Sequence, residues 1–234
     1  MQLEETNAKI SHKFWVASSN FFETSLIFYP VYNNTFLNKE KSSAVELSAK
    51  LEIFDCDGKS VNTINCTFDS NKVSVLEVAS LIEAFKFEAG IKHGLIEVET
   101  GGNLEIQCRL NSHSSATVLG ELMDTARYQK AFLPLRLGES NNTLVVVANL
   151  SRDTNSIRSK LFLGKRSPEV LVDLPPGAVR VLSLANEFAE CIENKSFSSL
   201  GYLRVTSRND QPFALQVLEC MEGSKEESFF SSIL

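Results

Sequence analysis

The chain is most constrained by an internal repeat. Lys50-Leu51-Glu52-Ile53-Phe54 aligns with Lys160-Leu161-Phe162-Leu163-Gly164, and Val75-Leu76-Glu77-Val78-Ala79 with Val181-Leu182-Ser183-Leu184-Ala185. Further on, Gly94-Leu95-Ile96-Glu97-Val98 aligns with Gly201-Tyr202-Leu203-Arg204-Val205, and Leu104-Glu105-Ile106-Gln107-Cys108 with Phe213-Ala214-Leu215-Gln216-Val217. The offsets are 110, 106, 107 and 109 residues, and the slack falls in connections, which tolerate length changes that strands do not. Phe14-Trp15-Val16 and Phe132-Leu133-Pro134-Leu135 open the two copies.

The repeated unit reads as β-strand. Leu95 to Glu99, Leu104 to Cys108 and Tyr202 to Thr206 alternate apolar with polar residues, whereas Leu144 to Ala148 is a β-branched apolar run suited to burial on both sides. Asp57-Gly58, the latter pair expected as a type I′ hairpin, Gly101-Gly102, Asn209-Asp210 and Pro175-Pro176-Gly177 punctuate these runs. Short helices are expected at Ser80 to Phe85 and Asn186 to Cys191, with a linker helix at Glu121 to Lys130. The pattern predicts an all-β chain of two tandem antiparallel β-sandwich domains related by duplication, with short helices in connections. Its parts are an extension at 1–11, copy one at 12–120, a linker at 121–130 and copy two at 131–234. The end, Ser228 to Leu234, is too apolar for a free tail and is expected to add as a strand.

Composition separates a packed protein from a disordered one. With 43% hydrophobic and 22% charged residues among 234, the chain has enough apolar mass for two cores. No apolar run is long enough to span a membrane, and the first 13 residues carry two glutamates with no apolar stretch behind them, so a cytoplasmic location is expected. Five cysteines, odd in number and without a C-x-x-C pair, read as reduced thiols. Five N-x-[ST] triplets have no meaning without a secretory route.

In copy two the segments VVVANLS, KLFL, PPGAVRVLSL, GYLRVTS, QPFALQVLE and SFFSSIL, within residues 143–234, resemble in layout the sensory rhodopsin transducer family. The resemblance implies a small bacterial cytosolic β-sandwich that forms oligomers and binds other molecules. It carries no catalytic motif across.

A search for chemistry yields no catalytic residue, no metal site and no cofactor. His12, His93 and His113 form no ligand pattern, and His93 and His113 read as solvated turn residues. There is no nucleophile elbow, phosphate loop or dinucleotide fingerprint; Leu163-Gly164-Lys165-Arg166-Ser167 lacks the upstream glycine and reads as a cationic turn. Asp55-Cys56-Asp57-Gly58 lacks the later ligands of a calcium loop. Glu97 and Glu99 share one strand face and read as a solvated row.

Charge is unevenly divided. Residues 1–125 hold 10 bases and 17 acids, residues 126–234 hold 13 and 12, giving the net −6. That balance argues against nucleic-acid binding. The bases of copy two gather at Arg152, Arg158, Lys160, Lys165 and Arg166, with Arg158 and Lys160 expected to project together from one strand. The cluster suits either an anionic ligand or the acidic first copy. The start of copy one is rich in aromatics, and Trp15 or Tyr32, if exposed, would offer a platform for sugar stacking. The expected function is a non-catalytic binding or assembly module that recognises a protein partner, itself or a small ligand through sandwich surfaces. A carbohydrate-binding sandwich using Trp15 and Tyr32 is the alternative, and an enzyme with carboxylates at the domain junction is the remote one.

Overall fold

A computed structural model describes residues 9–31, 46–88, 90–101, 103–112, 115–122, 129–137, 141–192, 199–221 and 228–232. The chain is mostly β-strand, in several antiparallel sheets. The first half contains β1 (Ile10–Ser18), β2 (Phe22–Pro30), β3 (Glu46–Asp55), β4 (Ser60–Asp69), β5 (Ser74–Glu77), β6 (Phe87–Glu88), β7 (Ile91–Thr100), β8 (Leu104–Ser112) and β9 (Ala116–Leu119). The second contains β10 (Lys130–Leu137), β11 (Asn141–Ala148), β12 (Asn155–Phe162), β13 (Glu169–Leu174), β14 (Val179–Ser183), β15 (Ser199–Ser207), β16 (Ala214–Met221) and β17 (Ser228–Ser232). Two one-turn helices, α1 (Leu184–Glu187) and α2 (Ala189–Ile192), sit where one was expected. The expected helix at Ser80 to Phe85 is instead a 3₁₀ turn, Ala79–Leu81, followed by irregular turns. Most of the expected linker helix lies outside the described residues.

The strands of the second half form two sheets, β10-β15-β12-β13 and β14-β11-β16-β17. In the first half β1 pairs β7, β7 pairs β3, and β3 pairs β4; separately β5 pairs β2, β2 pairs β8, and β8 pairs β9. Each of these ladders has a counterpart in the second half. The first half differs in that β1 and β2 join at a corner, Ser18 opposite Glu23, which makes one nine-stranded sheet of the two sets.

Ladder partners correct the alignment drawn from sequence. Leu51 lies opposite Val98, but Leu161 lies opposite Leu203, and Val205 opposite Ser159. With β7 laid on β15 at 107 residues, Ile53 and not Leu51 takes the place of Leu161. A slip of two residues keeps every side chain on its face, so an apolar alternation cannot reveal it. Gly94 and Gly201 sit at matching places: an added Cβ would lie 2.2 Å from the Phe54 carbonyl oxygen in one half and 2.8 Å from that of Phe162 in the other.

Alternation decides the layers. Asn155–Phe162 is buried at every second position, as a strand with one face on the core must be. Ala131, Leu133, Ile157, Leu161, Leu203 and Val205 of one sheet share a core with Val145, Val147, Leu182, Leu215 and Val217 of the other, an arrangement consistent with a β-sandwich. The remaining face of the β11 sheet is apolar too: Leu144, Val146, Ala148, Val179, Val181, Ala214 and Leu218 join the core of the first half. In that half Phe28 stacks on Phe68, centroids 4.3 Å apart, so the Leu51–Ile53–Ile96 face looks toward β2. Trp15, Ala17 and Leu95 point the opposite way by alternation, yet all are buried. The β11 sheet of the second half therefore closes over the outer side of β1 and β7.

Loop contacts reinforce that junction. Val179 N–H donates to the Cys56 carbonyl at 2.9 Å, and Gly58 abuts the Pro176–Gly177 turn. The Asp55–Lys59 connection is not the type I′ hairpin expected of Asp57-Gly58, because only Gly58 has a positive φ (80°). Gly58 N–H donates to the Asp55 carbonyl at 3.0 Å, the pattern of a type I turn closed by a left-handed glycine.

Candidate functional site

The outer face of the β10-β15-β12-β13 sheet carries the cations singled out from sequence, together with others that were not. Register sets them in rows. Lys130, Thr206, Arg158 and Leu171 lie side by side, then Phe132, Arg204, Lys160 and Glu169, then Pro134, Tyr202 and Phe162. Arg158 and Lys160 do project together, as their spacing requires. Leu200, Phe132, Leu171 and Tyr202 on this face are 85%, 53%, 51% and 42% exposed, an unusual concentration of large apolar groups in water.

The rings hold the cations. Phe162 and Tyr202 stack with centroids 4.5 Å apart and planes 11° from parallel. Arg204 and Lys160 lie 5.2 and 5.4 Å from the Phe162 centroid, and Lys130 lies 5.0 Å from that of Phe132, distances at which a ring quadrupole attracts a cation. Carboxylates are scarce beside them. Glu169 stands 3.9 Å from Arg158 Nε and 4.0 Å from Lys160 Nζ, too far for hydrogen bonds, and Asp173 is exposed at the rim.

At one end of the face Lys130, Arg158, Arg204, Thr206, Ser207 and Arg208 line a concavity of about 340 Å³. Arg158 Nε, Arg204 Nε and Thr206 Oγ1 are sealed from solvent there and have no hydrogen-bond partner. The floor is fixed: Ser207 Oγ donates to the buried Asn155 Oδ1 at 2.8 Å and accepts from Gln211 N–H at 3.0 Å, while Arg208 N–H donates to the Ser156 carbonyl at 2.8 Å. The matching face of the first half satisfies its charges internally. Lys13 pairs Glu97 at 3.0 Å, Lys9 pairs Glu99 at 2.6 Å, and Ser11 Oγ donates to Glu97 at 2.6 Å. Burial pushes the Glu97 carboxyl up, but Ser11 and Lys13 outweigh it and hold the group below its ordinary value.

The other residues singled out from sequence lie elsewhere. Arg152 is exposed in the loop before β12, and Lys165 and Arg166 occupy the β12–β13 turn, where Arg166 Nη1 donates to the Glu190 carbonyl at 3.3 Å. Trp15 is fully buried beneath the second half, so it cannot serve as a stacking platform; its aromatic bulk completes the junction instead. Tyr32 and His113 lie outside the described residues.

His93 corrects the reading of a solvated turn residue: it sits within β7, has no exposed surface, and places Nε2 2.6 Å from Glu88 Oε2. Glu88 is also ion-paired to Arg180 from β14, so the junction holds one carboxylate between a histidine and an arginine. The concavity lined by Ser18, Asn20, Glu83, Phe87 and Lys92 and that lined by Asp55, Asp57, Phe85 and Lys86 flank this cluster, and neither is lined by His93 or Glu88. Among the described residues no three His, Cys, Asp or Glu side chains gather as metal ligands. Asp55 instead accepts backbone N–H groups, and Asp57 faces Lys86 at 3.7 Å.

The sequence reading missed Lys130, Arg204, Thr206 and Arg208. The signal was present, since alternation in GYLRVTS puts Tyr202, Arg204 and Thr206 on one face, but the partner strands were needed to bring them beside Arg158. Compared with known proteins, the chain matches no family model and no curated sequence. No helix among the described residues is long and apolar enough to cross a membrane.

Proposed function

We propose that the chain is a non-catalytic binding module built from a duplicated β-sandwich, with the outer face of the β10-β15-β12-β13 sheet as its recognition surface. The observation that carries this reading is the concentration of exposed rings and under-paired cations on that face, where fixed donors lack acceptors. The duplication is supported by the recurrence of six strand ladders and by Gly94 and Gly201 at equivalent close approaches. Protein partners, self-association and small ligands all remain within this reading, as does the resemblance to an oligomeric sensory family.

The carbohydrate reading is weaker, because Trp15 is withdrawn into the core. The junction enzyme has a Glu88–His93 pair in its favour, but that pair is locked by Arg180. Hydrogen exchange on the full chain, with and without a panel of glycans, metabolites and protein fractions, tests the proposal. Protection is expected at residues 130–135, 155–162 and 199–208, lost in Lys160→Glu and Tyr202→Ala, with no conversion of any compound. Protection confined to another face, or turnover abolished by a single substitution, overturns it.

A further inference from the structure

Resting on that reading of the face, we propose that the concavity between β10, β15 and β12 binds a tetrahedral oxyanion, the phosphate or sulfate group of a small molecule. Lys130, Arg158, Arg204 and Arg208 converge on it from three strands and the turn after β15, so positive charge surrounds the space from several directions. A buried donor without an acceptor is destabilising, and here there are three in one place: Arg158 Nε, Arg204 Nε and Thr206 Oγ1. These three atoms have no surface open to the concavity, so an oxyanion bonds them only as the side chains turn toward it; the guanidinium groups around the space are suited to it by charge and fork geometry. Among the described residues Glu169 and Asp173 are the counter-charges on the face, so the cations crowd one another and an arriving anion removes repulsion as it makes bonds.

Part of this lining is held in place before any ligand arrives. Arg204 lies against the Phe162 ring, and Arg208 is fixed through its backbone to Ser156. Arg204 therefore has less side-chain freedom to lose on binding. The same geometry argues against an oligonucleotide, whose bases need open ring faces for stacking. Phe162 is already engaged by Tyr202, Arg204 and Lys160, and Phe132 by Lys130. The volume of about 340 Å³ accommodates the charged group and part of a compact carrier.

The test is titration of the ¹⁵N-labelled full chain with inorganic phosphate, sulfate, glucose 6-phosphate, glucose 6-sulfate, glucose, single-stranded oligonucleotide and ionic-strength-matched sodium chloride. Saturable shifts are expected at Lys130, Arg158, Arg204, Thr206 and Arg208 with the oxyanions and not with glucose or chloride. The ratio of the phosphate to the sulfate arms assigns the source. Arg158→Gln and Arg204→Gln should each weaken binding at least 10-fold at an unchanged unfolding midpoint, and Thr206→Val, which keeps shape, should weaken it about 3–10-fold. The inference is overturned if shifts follow ionic strength alone, if the variants bind as the parent does, or if only the oligonucleotide saturates. Such a failure leaves the recognition surface standing, because that surface is judged separately by the protection of residues 130–135, 155–162 and 199–208.

Discussion

At the scale of single residues, close approach and burial set the consequences. An added methyl at Gly94 meets the Phe54 carbonyl at 2.2 Å, whereas at Gly201 the nearest atom is at 2.8 Å. Gly94→Ala is expected to lower stability by roughly 2–3 kcal/mol and Gly201→Ala by about 1 kcal/mol, measured by urea unfolding. Cys108 is fully buried, and burial pushes its thiol well above the ordinary range. It should resist thiol reagents in the folded protein and react only on unfolding, which labelling with increasing urea would follow. Because its folded value is depressed, Glu97 stabilises the protein above the ordinary carboxylate range and loses that contribution as pH falls through the lowered value. Glu97→Gln should therefore flatten the acid side of the stability profile, and an unchanged profile would contradict the pairing with Lys13. His93 shows why such sites are hard to read from sequence: a histidine before a glycine looks like a turn, and only the covering sheet makes it a core residue.

At the scale of elements, legibility followed what alternation can and cannot encode. It placed Arg158 beside Lys160 and marked Leu144–Ala148 as a strand buried on both sides, which the structure bears out. It could not fix register: β3 and β12 slipped by two residues with every face preserved. Nor could it distinguish a helix from a 3₁₀ turn at Ala79–Leu81, where so short a segment has no repeat to read. The apolar end does add as a strand, β17, which covers the edge of β16 with a ladder from Val217 to Met221. Truncation before Ser228 is expected to bare that edge and cause concentration-dependent association, visible by light scattering. A truncated chain that stays monomeric at high concentration would show the edge to be harmless.

At the scale of the whole molecule, the decisive feature is a sheet with two apolar sides. Val145 and Val147 face one core, and Leu144 and Val146 the other, so the two cores share a wall. Unfolding should accordingly be a single transition by circular dichroism and by Cys108 reactivity, although the same set of strand ladders recurs in each half. Val146→Asp, a charge with no partner in the shared wall, is expected to cost at least about 4 kcal/mol and to melt both halves together. Two transitions, with only one moved by the substitution, would show the cores to be independent.

That party wall has a practical corollary for anyone dissecting the molecule. A fragment ending near Leu119 would leave Trp15 and Leu95 in water, and one starting near Lys130 would do the same to Val181 and Leu218. Neither piece should behave well by itself, yet each carries the missing lid of the other. Produced from separate genes in one cell, the fragments ought to reassemble into the parent, a split protein whose cut falls between its two sets of ladders.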